Sequence, residues 1–330
     1  MNFKTFMFAL TAGLASITVA ACSTSEQGAS SPVVDPSPAV AAEKSSPVAA
    51  AVAKDPETTI TLGDITNNPV KKIRRYKPFA DHLASQLKAT GITDSEVKVA
   101  PDLETMASMI ASGEIDLYFD SPFPAMVVSD LSGAKPILRR WKKGVGSYHT
   151  IIFTRADSDV KTLEDLKGKV VAFDDRVSTS GYMLPLAHLK EKGFSLSEKA
   201  SAQSSVEDET VGYVFSKDDD SSIEWVLNKR VGAAAIGSSD FLDIPPKTRD
   251  QLRILAKTES VPRQLVMVSP AVPPEQIEAI RKLLLTLDKS EKGKQLLQGF
   301  EKTAKFDALP KASDQSFARM RELYELVKEQ

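Results

Sequence analysis

Short apolar segments alternate with longer amphipathic segments along the chain from about residue 58 onwards. The first apolar run, Thr59–Gly63, predicts a strand, and the apolar residues of 70–87 recur at helical spacing, which predicts a helix. The further predicted strands cover 96–99, 115–119, 148–153, 169–173, 211–215, 231–236, 252–256 and 264–268, and the further predicted helices lie near 103–110, from about 179, and near 221–227, 274–287, 292–300 and 314–327. Strands that alternate with helices predict an α/β fold with mixed, mostly parallel sheets.

The alternation forms two successive sets of elements, and the last part of the chain returns with further strands and helices. This pattern predicts two lobes with a cleft between them. We expect lobe one to comprise 58–147 and 256–330 and lobe two to comprise 148–255, so that the chain crosses twice between the lobes. Ligands of such folds bind at the C-terminal ends of strands, where helix N-termini also point.

The composition is typical of a soluble globular protein, with 42% apolar and 26% charged residues in a chain of 330. The 42 Lys and Arg residues against 44 Asp and Glu residues give a formal charge of −2, so the basic surplus typical of nucleic-acid binding is missing. A single cysteine, Cys22, excludes an internal disulfide and a cysteine-based structural zinc site.

Residues 1–21 have the pattern of an export signal, with an early positive charge and an uncharged run that ends in small residues. The segment Val19–Cys22 resembles a bacterial lipobox, with valine where leucine is commoner, which implies cleavage before Cys22 and its lipidation. The alternative is a plain signal peptide with an incidental cysteine. Residues 22–57 are expected to form a flexible tether, because 23–55 contain 8 Ala, 7 Ser and 4 Pro and no aromatic residue.

The sequence Ser178-Thr179-Ser180 follows a predicted buried strand and opens a helix. Free backbone N–H groups, the positive end of the helix dipole and three hydroxyl groups together can surround a tetrahedral oxyanion. The alternative is that Ser178 or Thr179 simply caps the helix. Periodicity alone does not separate an anion site from a cap.

Residue patterns that would carry catalysis are absent from the sequence. It contains no Gly-x-Ser-x-Gly, Walker, Gly-x-Gly-x-x-Gly or His-Glu-x-x-His motif. His82 and His188 fall in amphipathic helices, and His149 lies near the predicted cleft without a partner signature. We therefore expect no enzymatic activity, no cofactor and no metal, although this fold hosts occasional enzymes.

Several segments resemble, in the same order, the phosphate/phosphite/phosphonate-binding proteins of ABC importers. The most specific are Gly144–Tyr148 before an apolar strand, Leu163–Lys169, and Ser178–Gly181 after a strand. The similarity covers nearly the whole folded part and is also carried by 66–69, 75–76, 113–117, 121–123, 133–136 and 231–235. It implies a type II periplasmic binding fold that closes on its ligand by hinge motion.

This resemblance implies a ligand site built from both lobes, in which hydroxyl groups bind phosphoryl-type oxygens and carboxylates select the protonation state or an amino substituent. The implied ligand-binding residues are Asp120, Ser121, Tyr148, Ser178, Thr179, Ser180, Asp220 and Ser238. Asp120 departs from the family pattern, which usually has an aromatic residue there. A further carboxylate disfavours a dianion and favours a less charged or zwitterionic ligand.

Other polar and aromatic residues have structural explanations. Residues 218–220 also fit a solvated acidic turn that caps a helix, and the basic run 139–143 is expected to be a solvated surface. Trp225 and Phe215 are expected to pack in a core, whereas Tyr118 fits a core or a site.

The resemblance implies a monomeric, extracytoplasmic lipoprotein, anchored to the cell envelope, that captures a phosphonate, phosphite or phosphate and delivers it to an ABC permease. Two alternatives use the same fold: a binding protein for another small solute, and a ligand-presenting sensor component at the membrane.

Overall fold

The computed structural model describes residues 58–66, 68–309 and 313–328. The predicted signal peptide and the whole of the predicted tether, including Cys22, lie outside the described residues. Within the described part of the chain, no helix combines the length and the apolar character that crossing a membrane requires.

The strands of the described residues form two six-stranded sheets and one short two-stranded ladder. In chain order the strands are β1 (Thr58–Ile65), β2 (Ile92–Ala100), β3 (Leu117–Asp120), β4 (Lys135–Lys142), β5 (Ser147–Tyr148), β6 (Thr150–Arg155), β7 (Val170–Phe173), β8 (Ser195–Glu198), β9 (Thr210–Phe215), β10 (Ala233–Gly237), β11 (Leu252–Lys257), β12 (Val261–Pro262), β13 (Gln264–Val268) and β14 (Thr303–Asp307).

Both large sheets combine parallel inner strands with antiparallel returning strands. The first sheet has the order β14-β4-β13-β3-β1-β2, in which β1 runs parallel to β2 and β3 while β13 runs antiparallel to β3 and β4. The second sheet has the order β11-β6-β10-β7-β9-β8, in which β7 runs parallel to β9 and β10 while β6 runs antiparallel to β10 and β11. Because the carboxyl ends of parallel strands meet at one edge, each sheet gathers its strand-to-helix loops there.

Helices cover the faces of the sheets. They are α1 (Pro69–Gln86), α2 (Leu103–Ala111), α3 (Pro122–Ser132), α4 (Leu184–Glu191), α5 (Asp219–Leu227), α6 (Ser238–Asp243), α7 (Pro246–Arg249), α8 (Pro274–Leu284), α9 (Glu291–Gly299) and α10 (Ser313–Val327). Short turns of other helix types lie at Lys88–Thr90, Glu164–Leu166, Thr179–Met183 and Leu287–Lys289. The sequence alternation therefore predicted the α/β class correctly.

The C-terminal helix α10 packs against α3, which follows a strand of the first sheet, and against α4, which follows a strand of the second. Its buried side chains include Met320 and Leu323. Arg319 pairs with Glu191 at the end of α4, and Arg321 pairs with Asp130 of α3. A helix assigned by sequence to lobe one thus contacts both sets of helices.

The basic run 139–143 is not the solvated surface that its composition predicts. Arg140 is completely buried in β4, where its guanidinium lies 4.3 Å from the centre of the Phe300 ring and Nε donates to Thr303 Oγ1 at 2.8 Å. Arg139 forms a bidentate pair with Asp307 of the neighbouring strand β14. The prediction failed because partners about 160 residues further along the chain bury these cations.

Candidate functional site

Ser178 occupies the N-cap position of the helical turn that follows β7. Its Oγ accepts a hydrogen bond from Gly181 N at 3.0 Å. A Cβ at position 181 would come within 2.3 Å of Asp174 Cβ, so the turn needs glycine there. Burial raises the pKa of Asp174, and the Ser178 hydroxyl opposes that shift. Part of the hydrogen-bonding capacity of Ser178 therefore holds the turn together, as the capping alternative predicts.

Thr179 joins the two sheets directly. It is 1% exposed, and its Oγ1 accepts a hydrogen bond from Phe123 N at 2.8 Å. Phe123 lies in the first turn of α3, whose own N-cap residue, Ser121, makes no side-chain capping hydrogen bond. The Thr179 hydroxyl, in the turn that follows a strand of the second sheet, thus accepts a hydrogen bond from a backbone N–H at the N-terminus of α3, which follows a strand of the first sheet.

Tyr148 lies in the short β5–β12 ladder, beside this contact. It is 2% exposed, and the Arg263 guanidinium lies 4.5 Å from the centre of its ring. Burial raises the pKa of Tyr148, while Arg263 and the hydroxyl groups of Thr179 and Ser180 act in the opposite direction. Tyr148, Thr179 and Ser180 therefore form one local cluster of hydroxyl groups, with a cation beside it.

Asp120 and Ser121 stand at the end of β3 and the start of α3. Asp120 Oδ2 accepts from the Tyr118 hydroxyl at 2.6 Å, and Oδ1 accepts from Ser121 N at 2.6 Å. Tyr118 is buried, and burial together with Asp120 and Asp64 raises its pKa well above the ordinary value. Tyr118 is thus both a core residue and the group that orients Asp120.

Ser238 is the first residue of α6, directly after β10, and it forms hydrogen bonds with His149, the residue before β6. Its backbone N–H donates to His149 O at 2.8 Å, and its Oγ accepts from His149 N at 3.3 Å. A Cβ on the preceding Gly237 would lie 2.8 Å from Asp240 Oδ2 and 3.2 Å from Ser180 Oγ. These close approaches bring Ser180 and α6 together.

The acidic turn at the start of α5 consists of Asp218, Asp219 and Asp220, which differ in hydrogen bonding and burial. Asp218 caps the helix by accepting from Ser221 N at 2.7 Å, and Asp220 is exposed. Asp219 is half-buried, and burial, followed by the negative charges of Asp174 and Asp240, raises its pKa to about 7. The ligand role inferred for Asp220 stays a prediction, and Asp219 is the carboxylate of this turn that the fold places beside Asp174 and Asp240.

A cavity of about 460 Å³ lies against this acidic turn. Its lining consists of Asp218, Asp219, Asp220, Ile223, Asp240, Asp243, Ile244 and Pro245. Lys143, at the end of the first sheet's strand β4, reaches the same region, with Nζ 3.3 Å from Asp240 Oδ1. Lys143, next to the first sheet, thus forms an ion pair with Asp240, one of the carboxylates that follow the strands of the second sheet.

Six of the eight residues inferred from the sequence surround the meeting of α3, the Thr179 turn and β5. They are Asp120, Ser121, Tyr148, Ser178, Thr179 and Ser180. Ser238 lies next to them through Gly237, whereas Asp220 is exposed and lines the cavity at the acidic turn. Sequence reasoning did not single out Asp174 or Asp240, and it considered Asp219 only as part of a solvated acidic turn. The signal for Asp219 is its position directly after the N-cap residue Asp218, in the first turn of α5.

Two mixed α/β units, each with its strand-to-helix loops at one edge and those loops in contact with one another, define a type II periplasmic binding protein. The family model for the periplasmic substrate-binding protein of ABC phosphonate transporters matches residues 65–315. The chain therefore belongs to this family of extracytoplasmic transport proteins. This result confirms both the resemblance seen in the sequence and the predicted fold class.

Individual relatives agree with this assignment. The Phosphate-import protein PhnD of Mycolicibacterium smegmatis is 28% identical over 232 residues, which cover 68% of this chain and 70% of that protein. XAC2383 from Xanthomonas citri, with structures bound to chloride ion and to ATP, is 26% identical with a TM-score of 0.77, over 82% of this chain and at least 98% of that one. PhnD1 from Prochlorococcus marinus in complex with methylphosphonate has a TM-score of 0.58 at 16% identity, over 84% of this chain and 100% of that one, and shows the fold alone.

Proposed function

We propose that this protein captures a small phosphorus oxyanion between its two lobes, at the Thr179 turn, and delivers it to the permease of an ABC importer. The observation that supports this site most strongly is the hydrogen bond from Phe123 N to Thr179 Oγ1. It joins the N-terminus of α3 to the hydroxyl-rich turn, with Ser121, Tyr148 and Ser180 beside it. Helix N-termini and hydroxyl groups are the groups that bind phosphoryl oxygens.

The carboxylates around this point favour a ligand that also carries a positive group or a protonated oxygen. Asp120 lies at the start of α3, and Asp174, Asp219 and Asp240 face one another on the second sheet. These charges repel a fully ionised phosphate dianion but pair with an amino group. We therefore place aminoalkylphosphonates ahead of inorganic phosphate as ligands.

Binding and closure form one linked equilibrium in this proposal. Residues 58–147 and 256–330 make lobe one, residues 148–255 make lobe two, and the β5–β12 ladder lies at the crossings. The closed pair of lobes is the form that the permease recognises. The action is binding without bond chemistry, by a monomer that a lipid on Cys22 holds at the membrane through the 22–57 tether.

Calorimetric titration tests the ligand class. The ligand-stripped full-length chain is titrated with phosphate, phosphite, methylphosphonate and 2-aminoethylphosphonate, with sulfate and a dicarboxylate as controls. We expect a micromolar or tighter response to at least one phosphorus compound, strongest for the amino derivative. A folded protein that ignores all four phosphorus compounds would refute the proposal and leave the other-solute and sensor alternatives.

The site assignment is tested separately with Tyr148→Phe and Ser180→Ala. Each removes one hydroxyl from the cluster and is expected to weaken binding by about 1–3 kcal/mol if that hydroxyl contacts the buried anion. Thr286→Ala removes a hydroxyl from an exposed position far along the chain and serves as the matched control. Equal affinities in all these variants would contradict the site but not the ligand class.

A further inference from the structure

A second cavity, of about 380 Å³, lies beside the end of β4 on the first sheet. Three elements line it: α1, the end of β4, and the turn that joins α9 to β14. The lining residues are Arg75, Lys142, Lys143, Gln298, Gly299, Glu301 and Lys302. None of them belongs to the Thr179 turn, and one of them, Lys143, also pairs with Asp240 at the 460 Å³ cavity.

The cavity lining carries an excess of positive charge. Four of its residues are cations, and the one carboxylate is Glu301, whose oxygens lie 3.2 Å from Lys142 Nζ and 3.4 Å from Arg75 Nη1. Burial alone would raise the pKa of Glu301, but Lys142 and Lys72 outweigh it and lower the pKa to about 2. Glu301 is therefore ionised and already shared among several cations, so the lining keeps a net positive charge.

Lys302 is the cation of this cavity with the least compensation. It forms no ion pair with any residue that the structure describes, whereas Lys143 has Asp240 within 3.3 Å. Arg75 is half exposed and shares Glu301 with two lysines. An anion that entered the cavity would gain an interaction with Lys302 that no described residue supplies, and it would add a second partner for Arg75, which has only a share of Glu301.

The backbone around the cavity is strained. Among the described residues, five that are not glycine have positive φ, and three of them line this one cavity: Lys143 (53°), Glu301 (55°) and Lys302 (55°). Lys143 N donates to Lys302 O at 2.8 Å, which ties the two strained turns together. Left-handed backbone at residues with a Cβ is unfavourable, and such residues cluster where a particular side-chain arrangement has a use.

The start of α1 adds further cations where they cost stability. The first turn of α1 contains Lys71 and Lys72 and no acidic residue. Arg74 and Arg75 follow in the second turn. Cations at a helix N-terminus oppose the helix dipole, so this arrangement is locally unfavourable. Positive charge concentrated against both the dipole and the backbone preference points to an anionic ligand.

We propose that this cavity binds the phosphate group of a small organic phosphate, as a second oxyanion site distinct from the Thr179 site. The Arg75 guanidinium offers a planar pair of donors that matches two phosphate oxygens, and Lys302 and Lys142 supply point charges. A volume of 380 Å³ exceeds what a bare ion needs and leaves room for an organic substituent. The phosphate group belongs either to a free organic phosphate or to a lipid headgroup.

The test uses the full-length chain with Cys22→Ser, which prevents the predicted lipid anchor from contributing, and with Tyr148→Phe and Thr179→Ala to weaken the first site. In this background Arg75→Gln with Lys302→Gln removes two charges from the cavity. Lys88→Gln with Lys282→Gln removes two exposed charges elsewhere and is the matched control. Circular dichroism and thermal unfolding establish that each variant is folded.

Two arms distinguish the sources of the phosphate group. Glycerol 3-phosphate is titrated by calorimetry, and sedimentation is measured with phosphatidylcholine vesicles with and without phosphatidylglycerol. The cavity variant is expected to lose at least about tenfold in affinity in one arm or both, since each charge-assisted hydrogen bond contributes about that factor, while the control pair keeps its affinity. Absence of binding in both arms, or equal losses in the cavity and control variants, would overturn the proposal whatever the first site binds.

Discussion

Replacing Thr179 by valine tests the contact between the two sheets, because valine keeps the shape of threonine and removes only the hydroxyl. Phe123 N then loses the acceptor that lies at 2.8 Å, in a place where Thr179 is 1% exposed and water has little access. A buried N–H left without a partner costs about 1–3 kcal/mol. In the proposed hinge motion, closure brings residues 123 and 179 together, so the cost is expected to fall on the closed arrangement.

Two assays separate where the cost appears. If the ligand-free protein is closed in solution, urea unfolding of Thr179→Val gives a free energy lower by about 1–3 kcal/mol. If it is open, Phe123 N is hydrated before binding, unfolding is unchanged, and the affinity for the preferred phosphorus ligand falls by roughly 5- to 150-fold, because ligand binding must drive a costlier closure.

Thr179→Ser restores the hydroxyl and is expected to recover most of the loss in either case. Thr286→Val, at an exposed position, is the matched control. A Thr179→Val variant that matches the wild type in both unfolding free energy and affinity, or an exposed control that loses as much, would refute a role for this hydrogen bond in closure.

Three further predictions concern stability. The pKa of Asp219 is raised to about 7 from 3.8, so the contribution of Asp219 to ligand-free stability should be greatest below about pH 4 and should be lost as the pH rises to about 7. In urea titrations at several pH values, Asp219→Asn should remove that loss, up to about 4 kcal/mol, relative to the wild type. An identical pH profile for Asp219→Asn and the exposed control Asp220→Asn would contradict it. Arg140→Ala should lower the free energy of unfolding by about 3 kcal/mol or more, because it empties a buried site stacked on Phe300. The control Arg74→Ala, at an exposed position, should change that free energy by less than about 0.5 kcal/mol. Similar values for the two variants would show that Arg140 is not structural. Gly181→Ala should lower the free energy of unfolding by about 1–3 kcal/mol, since the added Cβ would lie 2.3 Å from Asp174 Cβ. The control Gly299→Ala, whose Cβ would have no atom within 4 Å, should be neutral or stabilising. A thermal scan that ranks the two variants the other way would refute the packing argument.

The regular elements could be predicted from the sequence where burial is one-sided and local. Helix α1 was predicted at 70–87 and is observed at Pro69–Gln86, because its buried residues Tyr76, Phe79 and Leu83 recur at helical spacing. Strand β4 could not be predicted in the same way. Its polar residues read as surface, and only the distant partners Phe300, Thr303 and Asp307 turn them into interior groups.

The candidate site shows the same division between local and distant information. A hydroxyl-rich turn at the end of a buried strand is a local pattern, so the sequence by itself singles out Ser178, Thr179 and Ser180. Which hydroxyl caps the turn and which crosses to α3 depends on where α3 begins, and no spacing within 174–182 contains that information. The structure assigns the cap to Ser178 and the crossing to Thr179.

In the acidic turn, the fold gives three identical residues different environments. Asp218, Asp219 and Asp220 have the same side chain, yet one caps α5, one is half-buried among other carboxylates and one is exposed. Successive helical residues point about 100° apart, so a shift of one residue in the helix start would exchange their roles. Placing Asp219 rather than Asp220 toward Asp174 and Asp240 therefore follows from the cap at Asp218.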